Sequence, residues 1–312
     1  MAEIVGIGAC VADTLYRIPS FPKEDTKIKA ITSKISGGGP VATGLVAAKK
    51  LGVNSAFIGV LSDDSNGIFL KNDFEKFGVD TTHLEVKSGF RSFTSSLWLC
   101  DDTATRTCVF DKGDLPGLEL NEHQKEAIKK AKLLMVDGNE LNSAVKAAKI
   151  AKENATTVLY DCGGVYNGVE ELLKLTDIMI PSEEFALEFT KCKTTDDAAK
   201  KLFNQFNPKV VVITMGKKGG VLFDGNNLYK YPVYPADVVD SNGSGDVFHG
   251  AFAAGIVKGF DYLKCCHFSS AVSAIKCMGF GARESVPDFE TVKKSCLALN
   301  DVKTIIEIGP GL

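Results

Sequence analysis

The sequence predicts an α/β protein in three layers, a mostly parallel central sheet with helices on both faces, beside a small β-sheet. Three observations carry this. Strand-like apolar runs alternate with helix-like segments over most of the 312 residues, the pattern of a parallel sheet wrapped by helices. Residues 210–214, Val-Val-Val-Ile-Thr, form a continuous β-branched run of the kind buried on both faces. Two stretches break the alternation with strand-like runs that have no helix between them.

Taken in order, residues 4–9 form the first strand. The mildly apolar stretch 4–12 that contains it meets Asp13 at once and has no basic leader, so it reads as a strand rather than a signal peptide. Residues 41–51 form a helix. A strand at 55–60 precedes a helix at 68–77, and a strand at 132–136 precedes a helix at 142–152. A strand at 157–160 leads to a short helix at 169–175, and one at 178–180 to a helix at 183–190. The exceptions lie at 16–35, with Pro19 and Pro22, and at 91–110, where runs at 92–100 and 105–110 flank a turn at 101–104. Both leave the sheet near candidate substrate residues. They read as a small antiparallel sheet acting as a lid, with strands at about 14–36 and 88–112. No linker, repeat or low-complexity segment divides the chain, so 1–312 reads as a single domain.

Composition narrows the class. A net charge of −3 gives no basic patch for nucleic acid. No apolar run approaches the roughly 18 residues of a membrane helix. The nine cysteines contain no C-x-x-C pair, so reduced thiols and a cytoplasmic setting are expected rather than disulfides or a metal.

The most informative segment is Asp240-Ser-Asn-Gly-Ser-Gly-Asp246. Gly243 and Gly245 allow a tight turn and close approach of a ligand. Val247, Phe248, Ala251, Phe252, Gly255 and Ile256 then follow at helical spacing, so the loop opens onto a helix N-terminus. Unpaired amides and the positive end of the helix dipole make such a terminus an anion site. Asp246 lies in the first turn beside it. A carboxylate there can accept a proton from an attacking hydroxyl while the amides stabilise a transferring phosphoryl group.

This segment resembles the D-T-x-G-A-G-D signature of the ribokinase-like, or PfkB, family of carbohydrate kinases, with Ser241 for threonine and Ser244 for alanine. The resemblance implies Asp246 as the base and the amides of Gly243, Ser244, Gly245 and Asp246 as an anion hole. It implies a ribokinase-like fold and ATP-dependent phosphorylation of a hydroxyl on a sugar or sugar-derived molecule, with Mg2+. Gly37-Gly38-Gly39-Pro40-Val41-Ala42-Thr43 looks like the family's G-G-x-x-x-N segment, about 200 residues before the aspartate motif as the family shows. Thr43 stands where most members have asparagine. Gly38, Gly39 and Thr43 are thereby substrate-side candidates. Asp13 is similarly placed to the family's substrate-binding aspartate, and Asn139 of Asp137-Gly-Asn139 to a further substrate contact.

On the nucleotide side, Thr214-Met-Gly216-Lys-Lys-Gly219 is similar to the family's T-x-G-x-x-G stretch. Ser182 occupies the asparagine position of N-x-x-E. Phe185 replaces the glutamate, leaving Glu183 or Glu184 to organise water around magnesium. Residues 279–287 resemble a loop that often holds a monovalent cation. Asp240, Asn242, Gly281 and Ser285 are then expected to bind K+. A homodimer through the lid is the implied assembly. Arg91 and Arg106 are candidates for reaching the site from the lid.

Rival readings fit less well. Gly6-Ile-Gly8 begins a dinucleotide pattern, but Val11 takes the third glycine's place. No Walker P-loop and neither protein-kinase string is present. A non-catalytic sugar- or nucleotide-sensing protein on the same scaffold is the alternative, disfavoured because a pure binder needs no base.

Overall fold

The structure, a computed structural model, describes residues 1–103 and 105–298. In chain order its first elements are β1 (Ile4–Ile7), β2 (Val11–Ile18), β3 (Thr32–Gly38), α1 (Pro40–Lys50), β4 (Ser55–Phe57) and β5 (Gly59–Ser62). There follow α2 (Ser65–Lys76), β6 (Leu84–Lys87), β7 (Thr94–Cys100), β8 (Thr105–Asp111), α3 (Glu122–Lys130), β9 (Leu133–Val136) and α4 (Leu141–Glu153). Then come β10 (Thr157–Cys162), α5 (Val169–Leu173), β11 (Ile178–Pro181), α6 (Glu183–Thr190), α7 (Thr195–Phe206) and β12 (Val210–Thr214). The last are β13 (Gly220–Phe223), β14 (Leu228–Tyr231), α8 (Ser244–Val257), α9 (Tyr262–Cys277) and α10 (Phe289–Ala298).

The large sheet has the order β14-β13-β12-β11-β10-β9-β1-β4. The strands from β12 to β4 are parallel, and β13 and β14 extend the sheet antiparallel at one edge. Side-chain alternation along each strand feeds two cores. Ile4, Leu133, Met135, Leu159, Val210 and Val212 pack on one face with α1, α8 and α9. Val5, Leu134, Val136, Val158, Val211 and Ile213 pack on the other with α4, α5 and α7. The three layers expected from the sequence are therefore present.

The small sheet has the order β3-β2-β7-β8. Its hairpins, β2 with β3 and β7 with β8, are antiparallel as expected. The seam between them corrects the expectation: β2 and β7 run parallel, Asp13 opposite Ser95. The reading at 55–60 also changes. One expected strand is two, β4 in the large sheet and β5 paired with β6. The expected turn at 101–104 ends at a residue outside the described ones. The eight cysteines from Cys10 to Cys277 are free thiols. No helix among the described residues is long and apolar enough to cross a membrane.

Candidate active site

In a parallel sheet, the loops beyond the strand C-termini share one edge, where such folds place their ligands. Here that edge carries Asp137 after β9, Asp161 at the end of β10, Ser182 after β11 and Thr214 at the end of β12. Helix α8 starts there too: His249 Nε2 lies 3.1 Å from the Ile180 carbonyl oxygen and His249 Nδ1 lies 3.0 Å from Asp161 Oδ2.

The N-terminus of α8 has no side-chain cap. Gly243 precedes it with φ 74°, and a Cβ there would come within 2.7 Å of the Ala282 Cβ, so glycine is required on both counts. The Ser244 amide donates to the Ser241 carbonyl at 3.2 Å and closes the turn. The amides of Gly243, Gly245 and Asp246 have no acceptor among the described residues. The expected set of four amides is thus three open ones and one engaged. A Cβ on Gly245 would meet open space, so the ground above the turn is clear for a ligand.

Asp246, in the first turn of α8, is half-buried. Desolvation, reinforced by Asp161 and Asp137, raises its pKa to about 6; His249 and Arg106 pull the other way. Burial alone would lower His249, yet the Asp161 and Asp246 carboxylates outweigh it and raise its pKa above the usual histidine value. The approach of Asp161 Oδ2 to His249 Nδ1 lacks hydrogen-bond alignment, so the attraction is that of an ion pair. Asp246 and His249 therefore each feel the Asp161 carboxylate, and Asp246 that of Asp137 as well. That arrangement can take up and hold a proton near neutral pH.

The substrate-side candidates assemble around the start of α1. Asp13 is buried and accepts a hydrogen bond from Ser95 Oγ at 2.5 Å. Burial raises its pKa, opposed by the Ser95 hydrogen bond and Arg283. Gly38 lies against Asp13, where a Cβ would stand 2.0 Å from Asp13 Oδ2. Gly39 is the residue before α1, which starts with Pro40. Asp137 Oδ2 accepts from the amides of Ala9 at 2.9 Å and Val41 at 3.3 Å, and Oδ1 accepts from the Asn139 amide at 2.9 Å. Asp137 is thus a clamp between the loop after β1, the start of α1 and Asn139, its pKa raised by burial to about 6. Asn139 faces a pocket of about 170 Å3 shared with Gly8, Cys10, Phe93, Lys112 and Glu140.

Thr43 departs from its expected place. It is fully buried, and its hydroxyl faces Arg283 Nε at 3.5 Å. Arg283 has no solvent exposure. It donates to Asp73 Oδ2 at 2.6 Å and to the Gly38 carbonyl at 2.7 Å. Its guanidinium lies 4.9 Å from the Phe74 ring centre. Thr43 therefore touches the Arg283 guanidinium, because the side of α1 that carries it is turned into the protein.

On the nucleotide side, Ser182 and Thr214 are joined by a parallel bridge. Ser182 caps α6 by accepting from the Phe185 amide at 3.1 Å. Gly216 (φ 54°) and Gly219 (φ 80°) bracket a 3-10 turn closed by a 2.8 Å bond from the Met215 amide to the Gly219 carbonyl. Glu183 is tied to Lys218 at 3.0 Å.

The residues expected to hold a cation are only partly gathered. Asp240 accepts from the amides of Asn242 at 2.8 Å and Gly281 at 2.9 Å. The main-chain carbonyls of Asp240 and Asn242 accept from Lys276 Nζ instead. Ser285 lies against Gly279. Of the two arginines, Arg91 is exposed and pairs with Asp111 and Asp114. Arg106 lines a cleft of about 530 Å3 with Asp240, Ser241 and Phe280.

The family described as pfkB family carbohydrate kinase matches residues 1–288. The chain belongs to that family. A 5-dehydro-2-deoxygluconokinase of Clostridium perfringens is 30% identical over 289 residues, 84% of this chain and 84% of that protein. A ribokinase of Haemophilus influenzae is 27% identical over 287 residues, 90% of this chain and 94% of its own. Among solved structures, Arabidopsis thaliana ribokinase complexed with ribose and ATP superposes with a TM-score of 0.82 at 26% identity, covering 94% of this chain and 98% of that one. The protein is a carbohydrate kinase, and its reaction is ATP-dependent phosphorylation of a sugar or sugar-derived hydroxyl.

Sequence reasoning missed four residues around this kinase's site: Asp161, His249, Lys276 and Arg283. His249 was legible in principle, three residues after Asp246 on the same helical face. Asp161 sits at a strand's C-terminal end, where catalytic side chains gather. Lys276 and Arg283 had no local signal, because only folding shows that they are buried.

Proposed function

We propose that Asp246 is the general base of the kinase. It takes the proton from a sugar hydroxyl as that oxygen attacks the γ-phosphate of ATP. The observation that carries this is a carboxylate with a pKa of about 6 at the uncapped N-terminus of α8, beside open amides. A base poised near neutral pH is matched to the task, and the amides offset charge on the moving phosphoryl group without rearranging. Asp13 and Asn139, with the backbone at Gly38 and Gly39, hold the sugar. The edge formed by Ser182, Thr214, Gly216 and Gly219 takes the nucleotide.

Magnesium fits as a partner brought in by the nucleotide. No cluster of three His, Cys, Asp or Glu side chains able to hold a metal occurs among the described residues. Mg2+ commonly binds through phosphates and one or two carboxylates while keeping its waters. Glu184 and Glu183, in the first turn of α6, are the carboxylates on that side, and the ion would neutralise phosphate charge.

The small sheet acts as a lid in this reading, with Arg106 facing the cleft beside Asp240 and Ser241. Closure over the sugar excludes water and limits wasteful ATP hydrolysis. The sheet exposes Ile35 and Val109 on the face turned away from Asp13, with Ile31 just before β3, an apolar surface suited to a second copy, so the assembly is a homodimer through the lid. The setting is cytoplasmic, in keeping with free thiols. The test is ADP release from purified protein with ATP and a sugar panel. Turnover should disappear in Asp246→Asn while sugar binding stays; an active Asp246→Asn enzyme would overturn the assignment.

A further inference from the structure

Lys276 lies near the end of α9 and has no solvent exposure. A buried ammonium is costly unless it is paired and hydrogen-bonded. Its bonds run to the main-chain carbonyls of Asp240, at 2.9 Å, and Asn242, on either side of Ser241. The Asp240 carboxylate adds no hydrogen bond to the ammonium. It is turned to the amides of Asn242 and Gly281. One positive charge is therefore held by inward-facing carbonyls under the turn that leads into α8.

Main-chain carbonyls around a single positive charge are also what a potassium or ammonium ion requires. Lys276 carries the same charge to the same oxygens, covalently tethered. With Nζ bonded to both, a free monovalent cation does not fit. A carbonyl drawn inward fixes the peptide plane, and with it the direction of the next amide.

We propose that Lys276 is a built-in substitute for an exchangeable monovalent cation. It is a positioning residue that locks the Asp240–Gly243 turn so the α8 amides face the phosphoryl group, and it makes turnover independent of potassium. This rests on the reading of that turn as the anion site.

The experiment measures sugar-dependent ADP release by the wild-type enzyme in potassium, ammonium, sodium and choline chlorides at constant ionic strength and magnesium. The expected wild-type rate is the same in all four. Lys276→Met should lose roughly a hundredfold in kcat, comparable to losing one anion-hole donor, with little change in the sugar's KM. Potassium or ammonium, but not choline, should restore part of that loss. The same salts should raise the variant's melting temperature without nucleotide or sugar, and leave the wild type unmoved. Wild-type turnover that requires potassium would overturn the proposal even if Lys276→Met does not fold. So would a folded variant that keeps full kcat, or whose loss no cation repairs. Asp246→Asn separates the two readings. If it remains active, the anion-site reading fails; if it is dead while wild type needs potassium, only the role of Lys276 fails.

Discussion

His249 Nδ1 stands 3.0 Å from Asp161 Oδ2, both side chains shut away from solvent, three residues along α8 from Asp246. The pair ties the helix that carries Asp246 to the end of β10. It also places a positive charge where it moderates the carboxylate. Without the imidazolium, desolvation and the two neighbouring aspartates would push Asp246 higher still.

Activity should follow that balance. Asp246 must be ionised to accept a proton, so kcat/KM should fall about tenfold per pH unit below about 6 and level off above it. His249→Gln removes a charge that lowers the Asp246 pKa, so the midpoint should move to higher pH. A pH–rate profile of both proteins checks this, and a midpoint that moves down contradicts it.

Stability should run the opposite way at the same residue. The Asp246 pKa is raised from 3.8 to about 6 on folding, so the native state binds the proton more tightly. Its contribution is best below pH 3.8 and is lost as pH rises through 6. Asp246→Asn, which cannot ionise, should therefore be more stable than wild type at pH 8 by about 1 kcal/mol, a figure reduced because the residue is half-buried. Urea unfolding at pH 8 and pH 4 measures the difference, which should vanish at the lower pH.

Arg283 should be the most sensitive side chain outside the phosphate site. Removing it leaves Asp73 charged and buried, at a cost of about 3–5 kcal/mol for Arg283→Met. Lysine cannot reach Asp73, Gly38 and Thr43 together with one ammonium, so Arg283→Lys should recover little. Equilibrium unfolding gives the cost. A sugar KM raised in Arg283→Lys would show the effect passing through Gly38.

Gly250 should tolerate no side chain. A Cβ there would stand 2.1 Å from the Gly44 carbonyl oxygen, where α8 crosses α1. Gly250→Ala should cost about 1–3 kcal/mol by overpacking and lower kcat by shifting the two helix starts apart. Thermal unfolding with steady-state kinetics tests both, and an unchanged kcat in a destabilised protein would sever the link.

Much of the architecture was legible locally. Helices at 41–51, 142–152 and 183–190 and the strand at 210–214 appear within a residue or so of expectation, because periodicity and β-branching are properties of short segments. The hairpin at 92–110 was equally readable. Strands β13 and β14 and helices α3, α7, α9 and α10 were not assigned, and the parallel seam of β2 with β7 could not be, since it joins residues some 80 apart.

By itself the sequence determined the class of the fold, the Gly-Ser-Gly-Asp turn on a helix start, and the carboxylate that stands in it. Those features depend on near neighbours in the chain. Tertiary structure alone decided which charges are buried and what they face: Thr43 on Arg283, Asp161 on His249, Lys276 on two carbonyls. Desolvation sets the energy of a charge, and it is fixed by whatever packs around the group, most of it from distant parts of the chain.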